Sequence, residues 1–197
     1  MNLQEWLRSK GFTDFEGNSG QIPAQLATLK ELSKDVKSVL EIGFNAGHSA
    51  DIFLQNPNVE MVTSFDICAH TYVGAAKEYI DTTYLGRHLL IQGDSINSVN
   101  TYANAHKGPK YDLIFIDGCH EYDYATKDLE NCLALAHEKT IIVMDDTIVD
   151  KVDWVYQWNV GPTLAWLKAI QSNKIIPIKS VNYFPSRGMS WGFPRLS

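Results

Sequence analysis

The 197-residue chain contains no run of five lysines or arginines, and its net charge is −6. A sequence-independent nucleic-acid binder needs a basic face to neutralise phosphates, so that class is set aside. There are only three cysteines (Cys68, Cys119 and Cys132), an odd number without CxxC spacing. They argue against a disulfide framework and predict a reducing compartment. No apolar stretch approaches the ~18 residues that span a bilayer. The opening MNLQEWLRSK lacks the apolar core of a signal peptide. These absences predict a cytoplasmic protein with neither a membrane nor a nucleic-acid partner. Internal repeats and low-complexity segments are also missing.

What remains is ordinary globular composition, 45% hydrophobic and 20% charged. The length suits one domain, since domains run to about 100–200 residues. Residues 1–35 read as an N-terminal helical cap. Leu3, Trp6 and Leu7 make one short face. Ile22, Leu26 and Leu29 make another, with Pro23 placed for a first turn. From residue 36 onward, apolar strands alternate with helices. The strands are KSVLEIGF, EMVTSFDI, HLLIQGD, YDLIFIDG, KTIIVMDD and KIIPIKSV, and the tail NYFPSRGMSWGF adds a seventh. Helices lie between them, the last following Pro162. This alternation predicts an α/β protein, a doubly wound and mostly parallel sheet covered on both faces.

Ligands of such sheets bind at the carboxyl ends of the strands. Those ends read Glu41-Ile42-Gly43, Asp66-Ile67, Gly93-Asp94-Ser95, Asp117-Gly118 and Asp145-Asp146. All five carry a carboxylate, which a fold alone does not require. Acidic groups on one rim repel unless a cation, hydroxyls or an amine meets them. Gly43 and Gly47 permit a tight strand-to-helix turn. The dinucleotide fingerprint G-x-G-x-x-G fails here, because Asn45 and His48 stand where its second and third glycines would be. Asp66 is placed to accept two ribose hydroxyls. Asp94-Ser95 reads equally as an adenine contact or as a helix N-cap.

The series EIGFNAGHS, FDI, QGDS, FIDGCHEY and VMDD resembles class I S-adenosylmethionine-dependent methyltransferases. It is similar in particular to the small catechol, caffeoyl-coenzyme A and macrolide-sugar O-methyltransferases. The resemblance covers roughly residues 20 to 180 and rests on the order of its motifs. It implies a Rossmann-like seven-stranded sheet. Glu41, Gly43, Asn45, Gly47 and Ser49 fall on the family's cofactor loop, with Ser49 capping a helix near the cofactor carboxylate. Asp66 falls on the ribose acid and Ile67 beside the adenine. Asp94 and Ser95 fall on the adenine edge, and Asp117 lies near the cofactor. The resemblance also implies a Mg²⁺ site formed by Asp117, Asp145 and Asp146. His120 stands where catechol-type enzymes keep a lysine base, and GNSGQI matches a run near the cofactor.

Methyl transfer from a sulfonium needs a deprotonated acceptor about 3 Å from the methyl carbon. Either a bound Mg²⁺ or His120 as general base would supply that. Plain alternatives stand beside each assignment. Asp145-Asp146 also fits a strand-end turn, and His120 a surface hydrogen bond. Cys119 reads as a small filler, and Tyr122 and Tyr124 as half-buried helix residues. Residues 147–161 exceed the usual connection of about 2–6 residues and overhang the site. Trp154, Tyr156 and Trp158 would form a lid over an acceptor ring, or pack on the N-terminal helices or on a second copy in a homodimer. Trp6, Trp166 and Trp191 read as core or seam. The rivals are a nicotinamide oxidoreductase, a non-catalytic cofactor-binding protein, and a metal-free N- or sugar methyltransferase. The expected partner is a small-molecule acceptor.

Overall fold

A computed structural model describes residues 1–106, 110–151, 153 and 155–196. Seven strands form one sheet in the order β3-β2-β1-β4-β5-β7-β6. They are β1 (Ser38–Ile42), β2 (Met61–Asp66), β3 (His88–Gln92), β4 (Tyr111–Ile116), β5 (Ala136–Asp145), β6 (Ile175–Tyr183) and β7 (Arg187–Pro194). The first five strands are mutually parallel. The β6–β7 hairpin joins antiparallel, with Asp145 opposite Met189. The strand order reverses between β1 and β4, which opens a crevice above their carboxyl ends.

Side chains alternate across the strands. On β4, Leu113 and Phe115 enter one core, while Ile114 and Ile116 enter the other. The first core packs under α1 (Leu3–Ser9), α2 (Pro23–Leu32), α3 (His48–Leu54) and α4 (Val73–Thr83). The second packs under α5 (Ser95–Ala105), α6 (Tyr122–Leu133) and α7 (Gln157–Gln171). Each fully buried Phe or Leu contributes about 1.5–3 kcal/mol. The N-terminal helices belong to the first core through Leu3, Leu7 and Leu29. An Asn2–Glu5 capping box starts α1, and Trp6 Nε1 donates to the Ala75 carbonyl at 2.8 Å. Among the described residues no helix is long and apolar enough to cross a membrane.

One element differs from the expectation. The last helix starts at Gln157, not after Pro162. Asn159 is buried, and its side chain accepts from the Tyr156 N–H at 2.9 Å, which fastens the helix start. Pro162 then removes a single early-turn donor, a loss the helix tolerates here. Trp166 is fully buried and Trp191 nearly so, as core residues.

Candidate active site

The β1-to-α3 turn begins at Gly43, whose φ is +93°. A Cβ there would lie 2.0 Å from the Asp117 carbonyl, so glycine is required where the β1 and β4 ends meet. Asn45 also has positive φ, 48°, which asparagine adopts more readily than most residues. Its backbone N–H donates to Asp66 Oδ2 at 2.8 Å. The other Asp66 oxygen accepts from the Cys68 N–H. Asp94 Oδ1 caps α5 by accepting from the Ile96 N–H at 2.9 Å.

These turns enclose one cavity of about 670 Å³. Gly43, Asn45, Ser49, Asp66, Ile67, Asp94, Ser95, Asp117, His120 and Asp146 all line it. Its size suits a drug-sized ligand, whose sites span about 300–1,000 Å³. The structure therefore brings ten of the expected residues to one hollow. Glu41, Gly47 and Asp145 do not line it.

Glu41 lies beneath the cavity floor, fully buried. Ser49 and Ser64 both donate to its carboxylate. Burial pushes its carboxyl up to about 7, against the pull of those two hydroxyls. His88 Nε2 lies 3.0 Å from Ser64 Oγ, and burial lowers the His88 imidazole to about 4. The expected grip of Glu41 on the cofactor is thus replaced by an internal brace under the loop. Ser49 faces Glu41 as well as the cavity, and makes no capping bond for α3. A Cβ on Gly47, whose φ is +76°, would lie 3.1 Å from the Phe44 ring.

The β4 and β5 ends are crowded. Asp146, with φ 54° and almost no exposure, faces two donors. His120 Nε2 lies 3.1 Å from its Oδ2. Arg187 Nη1 lies 3.0 Å from Oδ1 and 3.3 Å from Oδ2. The Asp146 bond is the main reason the His120 imidazole titrates above its ordinary value. Burial and the Asp146 charge push the half-buried Asp117 carboxyl up to about 7. Asp145 turns away to Gln25, whose Nε2 lies 3.0 and 2.9 Å from its two oxygens. Burial raises this carboxyl well above its ordinary range. The expected Asp117–Asp145–Asp146 metal triad is therefore not assembled. The group whose ligand atoms lie within 4.8 Å of one another is Asp117, His120 and Asp146.

The GNSGQI run supplies Gly17, Asn18 and Ser19 to one side of the cavity, whereas Glu16 beside it, Tyr124 and Arg187 went unforeseen as lining residues. Glu16 pairs with His70 at 2.7 Å, and its carbonyl accepts from the Asn45 side chain. Tyr124 lines the cavity, and the Asp94 charge raises its phenol. Arg187 sits at the start of β7, and no local spacing marked it. Of the expected lid, Trp158 lines the cavity, stacked under the Arg187 guanidinium at 5.0 Å. Tyr156 is 55% exposed and lies off the cavity. Trp154 lies outside the described residues.

A parallel sheet closed by an antiparallel hairpin, with one cavity over its strand ends, defines a class I S-adenosylmethionine-dependent methyltransferase. A family profile described as "Methyltransferase domain" matches residues 40–147, and the chain belongs to that family, methyltransferase family 24. No curated protein sequence matches the chain. Solved structures share its fold. A Bacillus cereus O-methyltransferase bound to S-adenosylhomocysteine has 16% identity and a TM-score of 0.74, covering 98% of this chain and 89% of that one. An S-adenosylhomocysteine-bound methyltransferase from Podospora anserina has 19% identity and a TM-score of 0.70, covering 98% and 86%. A TDP-rhamnose 3'-O-methyltransferase of calicheamicin biosynthesis has 18% identity and a TM-score of 0.63, covering 85% and 76%.

Proposed function

We propose that the protein methylates a hydroxyl of a small molecule, with S-adenosylmethionine held along the β1–β3 ends and His120 as general base. The observation that carries this reading is the His120–Asp146 pair, 3.1 Å apart, opening into the same cavity as Asp66 and Asp94. Asp66 offers its remaining lone pairs to ribose hydroxyls, Ile67 an apolar flank to adenine, and Asp94 or Ser95 an edge contact. Gly43 and Asn45 line the turn where the methionine part would pass. Asp117 faces the space between the two halves, where a carboxylate stabilises a sulfonium.

Asp146 favours the imidazole tautomer with its proton on Nε2, which leaves Nδ1 bare. In the transfer, the acceptor hydroxyl gives its proton to Nδ1. Its oxygen attacks the methyl carbon, the carbon–sulfur bond breaks, and the sulfonium becomes a neutral thioether. The donor set does not suit the expected Mg²⁺. Mg²⁺ takes near-octahedral oxygen ligands. Here Asp145 is taken by Gln25, Asp146 by Arg187, and the remaining cluster includes an imidazole nitrogen. The reading therefore carries no metal step. The sugar methyltransferase among the structural relatives and the ring of Trp158 favour a sugar or aromatic acceptor.

Two measurements test this. Calorimetry should find micromolar binding of S-adenosylhomocysteine and none of NAD. Methyl-labelled S-adenosylmethionine, offered to a panel of phenols, sugars and amines, should label hydroxyls. Labelling of amines alone would overturn the assignment, and absence of cofactor binding would remove its basis.

A further inference from the structure

We propose that Arg187 is the built-in cation of this site, a positioning residue whose guanidinium takes the place beside Asp146 that a divalent ion would occupy and holds Asp146 against His120. This deepens the methyl-transfer reading and rests on it. Three carboxylates, Asp117, Asp145 and Asp146, converge on the β4 and β5 ends, and buried charges of one sign must be met. Among the described residues, Arg187 is the permanently charged group paired with this cluster. Its Nη1 reaches both Asp146 oxygens, and its side chain is only 33% exposed. Trp158 lies under its other face at 5.0 Å.

The backbone fixes this position. The Thr147 N–H donates to the Gly188 carbonyl at 3.1 Å. A Cβ on Gly188 would lie 2.2 Å from the Thr147 carbonyl, so the neighbouring glycine lets β7 press against the Asp146 turn. Arg187 is thereby delivered to Asp146 from the antiparallel strand. A guanidinium does not lose its proton in proteins, so this charge is always present. A divalent cation reaching Asp146 would have to displace Arg187 or share one carboxylate with it, and like charges at this range repel strongly. Arg187 thus performs the ordering task of a metal, fixing the acid that orients the base.

Paramagnetic resonance of Mn²⁺, titrated into protein saturated with S-adenosylhomocysteine, tests this without an acceptor. Wild type should retain no Mn²⁺. Arg187→Ala and Arg187→Gln should bind it at least about tenfold more tightly than wild type, and this gain should vanish when Asp117→Ala is added. Arg187→Lys should behave as wild type. Nitrogen NMR of the His120 imidazole should show the Nε2–H tautomer in wild type and Arg187→Lys, and a mixture of tautomers in Arg187→Gln. Mn²⁺ uptake by wild type through Asp117, or unchanged Mn²⁺ affinity and tautomer in both neutral variants, would overturn the inference. Should the neutral variants fail to fold, the wild-type spectra still decide it. S-adenosylhomocysteine affinity, read in the same samples, reports separately on the methyl-transfer reading.

Discussion

Asp66 and Asp94 end β2 and β3 with their carboxylates on backbone N–H groups, whereas Asp117, Asp145 and Asp146 crowd the β4 and β5 ends against an imidazole, an amide and a guanidinium. The first pair is satisfied by backbone N–H groups of the strand-end turns themselves, those of Asn45, Cys68 and Ile96. The second group depends on partners far away in sequence, Gln25 and Arg187. Carboxylates that accept one or two backbone N–H bonds keep further lone pairs for a ligand. Burial and mutual repulsion shift Asp117 and Asp145 upward, a condition typical of reactive sites. On the proposed function, one rim serves two chemistries, holding on one side and proton handling on the other.

The sharpest way to break this comparison is to remove the base. His120→Ala should lower turnover by about 10²–10⁴-fold while leaving S-adenosylhomocysteine affinity within about twofold. Steady-state rates on whichever labelled hydroxyl the panel identifies, alongside calorimetry, check it. A loss of cofactor affinity in place of rate would move His120 to the holding side of the rim.

Glu41 sharpens the contrast from beneath. Its folded carboxyl sits at about 7, above the unfolded value near 4.5, so its ionisation opposes folding. The stability it contributes is full below about pH 4.5 and is lost as pH rises through 7. Glu41→Gln removes that titration. Wild type should therefore lose up to about 3 kcal/mol relative to Glu41→Gln between pH 5 and 8.5. Urea midpoints of the two proteins at both pH values measure it. His48 and His88, buried and lowered to about 4, titrate alike in both proteins and drop out of the difference. Parallel curves would show that Glu41 stays ionised in the fold.

Asp66 belongs to the holding side. Asp66→Ala should weaken S-adenosylhomocysteine binding by about 10–100-fold, the range of one or two charge-assisted hydrogen bonds. At saturating cofactor the turnover number should change little. Titration calorimetry followed by rates at high cofactor separates the two quantities. A fall in turnover with full affinity would erase the distinction between the halves.

The sequence carried more of the holding side than of the reactive side, for a physical reason. Gly43, Asn45, Asp66 and Asp94 stand at or just past strand ends, so strand-end spacing exposes them. The sheet itself was legible through its apolar strands, and its last strand through the tail, but the antiparallel pairing of that strand was not. Arg187 and Gln25 meet Asp146 and Asp145 across 41 and 120 positions, and only β7 and α2 packing bring them there. Nothing local marks such a pairing, so Asp145 read as a metal ligand. Glu41 was misread for a related reason. A strand-end carboxylate looks alike in sequence whether it faces the cavity or the two serines below it. The early start of α7 depends on the buried Asn159, again a tertiary fact.

The smallest effect separates capping from ligand contact at Asp94. The side chain caps α5 and also lines the cavity. Asparagine caps about as well as aspartate, while alanine forfeits about 1 kcal/mol. Asp94→Asn should keep the wild-type urea midpoint, and Asp94→Ala should lower stability by roughly that amount. Both substitutions should weaken S-adenosylhomocysteine binding, since each changes the group offered to the adenine edge. An Asp94→Asn protein with full cofactor affinity would assign this carboxylate to the helix alone and leave adenine recognition to Ser95 and Ile67.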